Sequence, residues 1–391
     1  MNPVAIRAGR ALTPLEEIRD AVVLVEGAVI RAIGPLATVS VPRGARVVDG
    51  SELTVVPGFV DLHIHGAGGH DFMEEDAEAL AALTQTVARH GTTALLATTV
   101  TADVEQTCRS LRNLARFMRT QAATQTDSAA AAQILGIHLE GPFISPARRG
   151  VHPQEHIAVP SRETLAKLLE AAEGGARILT LAPELPGALE LVALARQQGV
   201  VAAMGHTDAT YEQAVAAIRR GASHAVHVFN AMRPFAHRET GILGAILTSS
   251  EVTAEVIADG VHVDAAAIRL LLAAKGIERV VLVSDGTAAT GMPDGTYQLG
   301  PLRVVVRDGV CRSADGKLAG STLTLDRAVR HMVELGVPLQ DAVRMATLNP
   351  ARVLGLERRL GVLAPGADAS LVLLDASLRV AGVMLRGAGL T

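Results

Sequence analysis

The sequence predicts an α/β protein: a (β/α)8 TIM barrel carrying a small β-sandwich built from both chain ends. Three observations predict it. Eight short apolar runs recur along the chain, and nearly every one ends on His, Asp or Glu. Between them lie segments with helical spacing of apolar residues, most closed by a glycine. Residues 1 to about 56 and those after Gly355 have a different texture, with Val and Ile alternating with polar positions around Gly and Pro breaks, as short strands do.

Taken in order, the N-terminal strands are VAIRAGRAL, AVVLVEGAVIRAIGP and ARVVDGSELTVV. The eight runs follow: VVPGFVDLHIH, GTTALLATTV, AAQILGIHLEGP, ARILTLAPE, GVVAAMGHTDA, GASHAVHVFNAM, EVTAEVIADGVHV and RVVLVSDGT. Helices are expected over AEALAALTQTVARHG, SRETLAKLLEAAEGG, ALELVALARQQG, YEQAVAAIRRG and AAAIRLLLAAKG, where glycine after the last apolar position is a stop signal. GHTDAT reads as a helix start capped near Thr207 or Asp208. After the eighth run, YQLGPLRVVVRDGVCR reads as a hairpin, STLTLDRAVRHMVELG as the closing helix and PLQDAVRMATLNPARVLG as one helix leading out. GVLAPGADASLVLLDASLRVAGVML then returns to strands. The expected division is 1–56 with 355–391 as the sandwich and 57–354 as the barrel, near the roughly 250 residues of a typical barrel.

The composition allows a large core: 49% of the 391 residues are hydrophobic and 19% charged, with no low-complexity tract. A formal charge of −4 with scattered Lys and Arg supplies no basic surface for a nucleic acid. No run approaches the roughly 18 apolar residues of a membrane span, and MNPVAIRAGRALTP lacks a signal-peptide core, so a cytoplasmic protein is expected. Cys108 and Cys311 stand far apart and outside any paired motif, as ordinary reduced thiols would. With no Trp, two Tyr and six Phe, stacking cannot dominate recognition of a sugar. Hydrogen bonds, a metal and a charged handle such as phosphate would have to carry it.

The ends of barrel strands form one mouth, so His63, His65, Glu140, His206, His227, His262 and Asp285 are expected to converge there. Any one of them alone also fits a buried group that satisfies the backbone; seven together favour a site. His63 and His65 are two apart on a strand and share a face, as do His138 and Glu140. Glu140 ends an apolar strand, where an unpaired carboxylate is costly unless a cation is near. His206, His227 and Glu140 make two imidazoles and one carboxylate, the donor set of a catalytic metal site with a place left for water. Asp285 fits either a base beside that water or a helix N-cap, and the roles are compatible. His224 lies three before His227 and is expected to face away, as a packing or barrel-exterior residue. His and carboxylate without Cys suit a divalent ion: zinc first, with ferrous iron, manganese or cobalt also suited.

HxH, HLEGPF, MGHTDA, HVFNAM, ADGVHV, LVSDG and LAGS, in that order, resemble the N-acetylglucosamine-6-phosphate deacetylase family of the amidohydrolase superfamily, over essentially the whole chain. The resemblance implies a homodimer acting on a phosphorylated amino sugar, releasing acetate. It implies metal ligands at Glu140, His206 and His227, with His63 and His65 able to hold a second ion, so one or two metals per subunit. It implies an acid/base at Asp285, which takes the water proton and returns it to the sugar nitrogen. Substrate contacts are implied at Val151, His152, Asn230, Ala231, Arg238, His262, Leu318, Ala319 and Gly320, with Arg238 on phosphate, in its own or the neighbouring subunit. The fourth run ends TLAPE without the Lys that many binuclear relatives carry, which argues against a dihydroorotase or hydantoinase. The second reading is the N-acetylgalactosamine-6-phosphate epimer, or another cyclic or sugar amide.

Overall fold

The computed structural model describes residues 3–123 and 131–390. Its central element is an eight-stranded parallel sheet formed by all eight apolar runs: Phe59–Ile64, Thr92–Thr99, Gln133–Glu140, Ala176–Leu181, Val201–Met204, His224–Ala225, Thr253–Ile257 and Val280–Val283. Strands buried on both faces have no solvent side to mark with polar residues, which is why they read as continuous Val, Ile, Leu and Ala. Closure comes where the first and last strands meet: Asp285 N–H donates to His63 O and His65 N–H to Gly286 O, both at 2.8 Å. The polar ends of eight strands are thereby brought to one rim.

Each strand is followed by a helix, and the five sequence-predicted ones form as Ala77–Arg89, Arg162–Ala171, Ala188–Gln197, Tyr211–Arg220 and Ala265–Lys275. The closing helix forms over Leu325–Glu334. Two more went unread. Val104–Ala123 is rich in Arg and buries Thr107, Ser110 and Asn113 beside Leu111 and Leu114. Gly241–Thr248 is apolar all round, so it shows no periodic face. The expected cap at Thr207 or Asp208 is corrected: Thr210 is the N-cap of Tyr211–Arg220, in a reciprocal capping box with Gln213. That helix ends at Gly221, whose φ of +113° takes the chain out of the helix.

The single helix expected over 338–355 is two helices, Leu339–Ala346 and Leu348–Val353. Pro350 has no N–H and is accommodated in the first turn of a new helix, so the break falls at Thr347. Gly295–Leu299, Leu302–Arg307 and Val310–Ser313 form an antiparallel sheet with one strand more than the expected hairpin. Its small core joins Val304 and Cys311 to Val100 and Ala319 at the rim of the barrel.

Both termini contribute to one six-stranded sheet. Across it run Val380–Met384, Leu371–Leu374, Arg46–Pro57, Val4–Leu12, Glu17–Glu26 and Val29–Pro35. Ile6, Val23, Ile30, Val55, Leu371 and Met384 share its inner core. Leu12, Val56, Val372 and Leu374 face the other way into the barrel cluster, so the sheet is docked on the barrel.

Candidate metal centre and active site

Six of the seven residues expected at the mouth gather around one carboxylate. Oε1 of Glu140 lies 3.0 Å from Nε2 of His227, 3.2 Å from Nε2 of His206 and 3.2 Å from Nε2 of His63. Oε2 lies 3.3 Å from Nε2 of His65 and from Nε2 of His152. Asp285 completes the group, its Oδ1 being 3.2 Å from His65 Nε2 and 3.7 Å from His63 Nε2. His262 stands slightly apart on the same wall, its Nδ1 held by Asp259 Oδ2 at 2.7 Å.

Local backbone geometry aims these side chains. His206, His227 and Asp285 each lie two residues past a strand end and adopt left-handed φ of +45°, +28° and +49°. Such conformations cost on the order of 1–3 kcal/mol each in a non-glycine residue and persist where surrounding bonds fix them. Those bonds are present: Ser145 N–H donates to His206 O at 2.8 Å and Ser321 N–H to Asp285 O at 2.7 Å. Glu184, at the end of the fourth run, accepts from Thr207 Oγ1 at 2.6 Å and from Asp208 N–H at 2.7 Å, clamping the turn after His206.

The donor set passes a test for a divalent cation. Atoms coordinated to one ion at about 2.1 Å stand roughly 3.0–3.4 Å apart, and His206 Nε2, His227 Nε2 and Glu140 Oε1 are separated by 3.0 to 3.2 Å. Tautomers agree. Nδ1 of His206 faces the carbonyl of Arg148 at 3.1 Å and so carries the proton, leaving Nε2 with its lone pair. His65 repeats this with Thr98 O at 3.3 Å. Nε2 of His63 is buried and, among the described residues, makes no well-aligned hydrogen bond, meeting Glu140 Oε1 at 3.2 Å. His152 is the opposite case: its Nδ1 accepts Thr101 N–H at 3.2 Å, so its proton sits on Nε2 and points into the site as a donor. The clusters His63–Glu140–His227, His63–His65–Asp285 and Glu140–His152–His206 each have ligand atoms within 4.8 Å of one another.

Charge is strongly perturbed here. Burial works against ionised Glu140, but His63, His206 and His152 outweigh it and hold its carboxyl well below the usual range. Burial likewise opposes the Asp285 charge, and His65 and His63 overcome it, leaving a carboxylate able to accept a proton. Burial disfavours protonated His65, yet Asp285 and Glu140 raise it to about 9. His63 is raised well above its usual value, with Glu140 and Glu255 outweighing burial.

These shifts give a pH prediction. A folded-state pKa of about 9 against 6.5 for His65 means its proton stabilises the metal-free fold fully below pH 6.5 and ceases to do so as pH rises to about 9. At 1.36 kcal/mol per unit the contribution is about 3 kcal/mol. A cation competes for the same nitrogens, so its affinity should strengthen over the same window. Thermal unfolding of the metal-free chain should therefore shift to lower temperature from pH 6.5 to 9; a midpoint that stays level or rises there would contradict the assignment.

A cavity of about 200 Å3 opens onto this cluster, lined by His65, Glu140, His206, His227 and Asp285. Val151, His152, Asn230, Ala231, His262, Leu318 and Gly320 also line it, as the resemblance implied. Ala319 does not: it is fully buried in the core of the small antiparallel sheet. Arg238 does not either, being exposed on the loop after Asn230, outside the cavity of its own chain. A larger groove of about 640 Å3 lies at the other end of the barrel among Arg196, Arg219 and Glu251. Chemistry rather than size locates the site, since barrel active sites form at the C-terminal ends of the strands.

Sequence reasoning missed the floor of the site. His224 is corrected from exterior or packing residue to a buried member of a polar network, its Nε2 bonded to Glu255 Oε1 at 2.9 Å. Side-chain alternation failed because the strand is only His224–Ala225, after which the chain turns. Glu255 and Asp61 were both unread and are fully buried or nearly so. His138 packs its ring 4.6 Å from that of His63 but commits both nitrogens to other strands: its Nδ1 donates to Leu62 O, its Nε2 accepts from Thr180 Oγ1, and burial followed by the nearby His63 lowers it to about 3.

Comparison with known proteins agrees with this geometry. The model of the amidohydrolase family matches residues 54–388. N-acetylgalactosamine-6-phosphate deacetylase of Escherichia coli O157:H7 is 39% identical over 98% of this chain and 98% of its own. N-acetylglucosamine-6-phosphate deacetylase of Bacillus subtilis is 35% identical over 95% of this chain and 96% of its own. A mutant N-acetyl-D-glucosamine-6-phosphate deacetylase from Mycobacterium smegmatis, solved in complex with N-acetyl-D-glucosamine-6-phosphate, superposes with a TM-score of 0.91 at 41% identity, covering 100% of this chain and 99% of that one. Barrel, histidine cluster and full-length matches together make this chain a hydrolase of the amidohydrolase family.

Proposed function

We propose that the chain hydrolyses the acetamide of N-acetylglucosamine-6-phosphate to glucosamine-6-phosphate and acetate. The observation that carries this is Glu140, His206 and His227 converging within 3.2 Å beside the carboxylate of Asp285. Those three residues would hold a divalent cation, zinc by first choice, which would supply Lewis acidity and lower the pKa of a water to about 7. His63 and His65 offer a second ion a place.

The remaining work falls to side chains. Asp285 accepts the proton of the attacking water and delivers it to the sugar nitrogen as the C–N bond breaks. His152 presents Nε2–H where the acetamide oxygen gains charge, the position at which a donor favours the tetrahedral state. His262, fixed by Asp259, and Asn230 suit sugar hydroxyls, while Val151, Ala231, Leu318 and Gly320 shape the wall. Arg238 is offered to the phosphate by a neighbouring copy in a homodimer, a reading supported by its exposure outside its own cavity and by its planar fork. Such a substrate does not cross a bilayer unaided, which supports a cytoplasmic site of action, and among the described residues no helix is long and apolar enough to span a membrane. The division into 1–56 with 355–391 and 57–354 is proposed with it, on the pairing of both termini in one sheet.

The 39% identity to an N-acetylgalactosamine-6-phosphate deacetylase makes that epimer the control. Acetate release is expected from both phosphorylated sugars, with the higher kcat/KM for the glucosamine compound. The opposite order would assign the chain to the galactosamine substrate.

A further inference from the structure

A carboxylate occupies the middle of the seventh barrel strand, between Ala254 and Val256, where apolar side chains ordinarily fill a barrel. Glu255 has no exposed surface. An anion so placed persists only if its oxygens are bonded. Oε2 accepts from Nδ1 of His63 at 2.9 Å and from the main-chain N–H of His227 at 3.2 Å, while Oε1 accepts from Nε2 of His224 at 2.9 Å. His224 is braced in turn by Thr253 Oγ1 at 2.7 Å from its Nδ1.

Two of these three bonds act on residues of the cluster above. An ionised carboxylate only accepts, so the His63 nitrogen facing Glu255 carries a proton. The other nitrogen, Nε2, then faces the carboxylate of Glu140, 3.2 Å from its Oε1. The bond to His227 acts on the main chain at a residue whose φ is +28°, a conformation few L-residues adopt unaided. That turn is what brings His227 Nε2 to 3.1 Å from His206 Nε2.

We propose that Glu255 is a positioning residue for the cation centre: it fixes which nitrogen of His63 faces Glu140 and holds the turn that presents His227. The inference rests on the metal reading given above and adds a residue that touches neither cation nor substrate. Groups hydrogen-bonded behind metal-ligating histidines typically change affinity about 10- to 100-fold when removed.

Glu255→Met keeps the length of the side chain and removes both carboxylate oxygens, so neither Nδ1 of His63 nor the main-chain N–H of His227 keeps its acceptor, whereas Gln could hold its single carbonyl oxygen at the Oε2 position and keep both. Cobalt(II) binding, measured by competition with a chromophoric chelator, should be about 10- to 100-fold weaker in E255M than in wild type. KM for the acetamide substrate at saturating cobalt should stay near the wild-type value. Equal cobalt affinity in the two proteins overturns the inference and leaves the metal reading standing. A wild-type chain that binds no cobalt overturns the metal reading, and the inference with it. Should E255M not fold, the zinc-loaded wild-type chain labelled with 15N-histidine decides: Nδ1 of His63 should be protonated and Nε2 without a proton, with the signal identified by its loss in H63Q. A proton on Nε2 of His63 overturns the inference.

Discussion

An Asp285→Asn chain is expected to keep its metal and lose turnover by about 10²- to 10⁴-fold, the range that general acid–base catalysis supplies. Several features make this substitution informative. Asp285 holds a left-handed φ of +49°, which Asn tolerates better than almost any residue but Gly. Its main-chain bonds to His63 O and from Ser321 N–H close the barrel and do not involve the side chain. The carboxyl is held ionised by His65 and His63 against the cost of burial, so the wild-type group begins as a base. The amide cannot take a proton. Metal analysis alongside steady-state acetate release separates the outcomes: an intact metal with a near-normal rate would remove Asp285 from the proton transfer.

Much of this site was legible because a parallel barrel writes its strands plainly. Runs such as RVVLVSDG are apolar until the rim and then turn polar, so His206, His227 and Asp285 could be placed at one mouth from sequence. Helices could be read where one face was apolar, and not where the pattern was absent: Gly241–Thr248 has no polar face, and Val104–Ala123 buries Thr, Ser and Asn. Alternation also misled at His224, because it presumes a strand longer than two residues. A signal for Glu255 did exist in TAEVI, since a carboxylate inside a buried strand requires donors, but its partners His63 and His224 lie 192 and 31 residues away. Arg238 and Ala319 mark where motif alone did not place a side chain: Arg238 lies exposed outside the cavity of its own chain, and Ala319 is buried in the core of the small antiparallel sheet.

The second large effect is the loss of activity on removal of the metal. Glu140 is approached by five imidazoles, from His63, His65, His152, His206 and His227. So dense a set of lone pairs and protons around one buried carboxylate is costly unless a cation or protons balance it. In the metal-free chain the balancing protons sit on His63 and His65, whose hold on them is raised, against burial, by Glu140 with Glu255 and by Asp285 with Glu140, and they occupy the nitrogens a cation would use. Stripping the ion should therefore leave a folded protein at neutral pH with no nucleophile, rather than an unfolded one. Acetate release from N-acetylglucosamine-6-phosphate, followed as a divalent ion is added back to chelator-treated protein, tests this most directly. The expected result is no release without metal and a rise in proportion to the ion added, levelling at one or two per chain. Undiminished release from protein free of metal by elemental analysis would contradict the assignment of Glu140, His206 and His227.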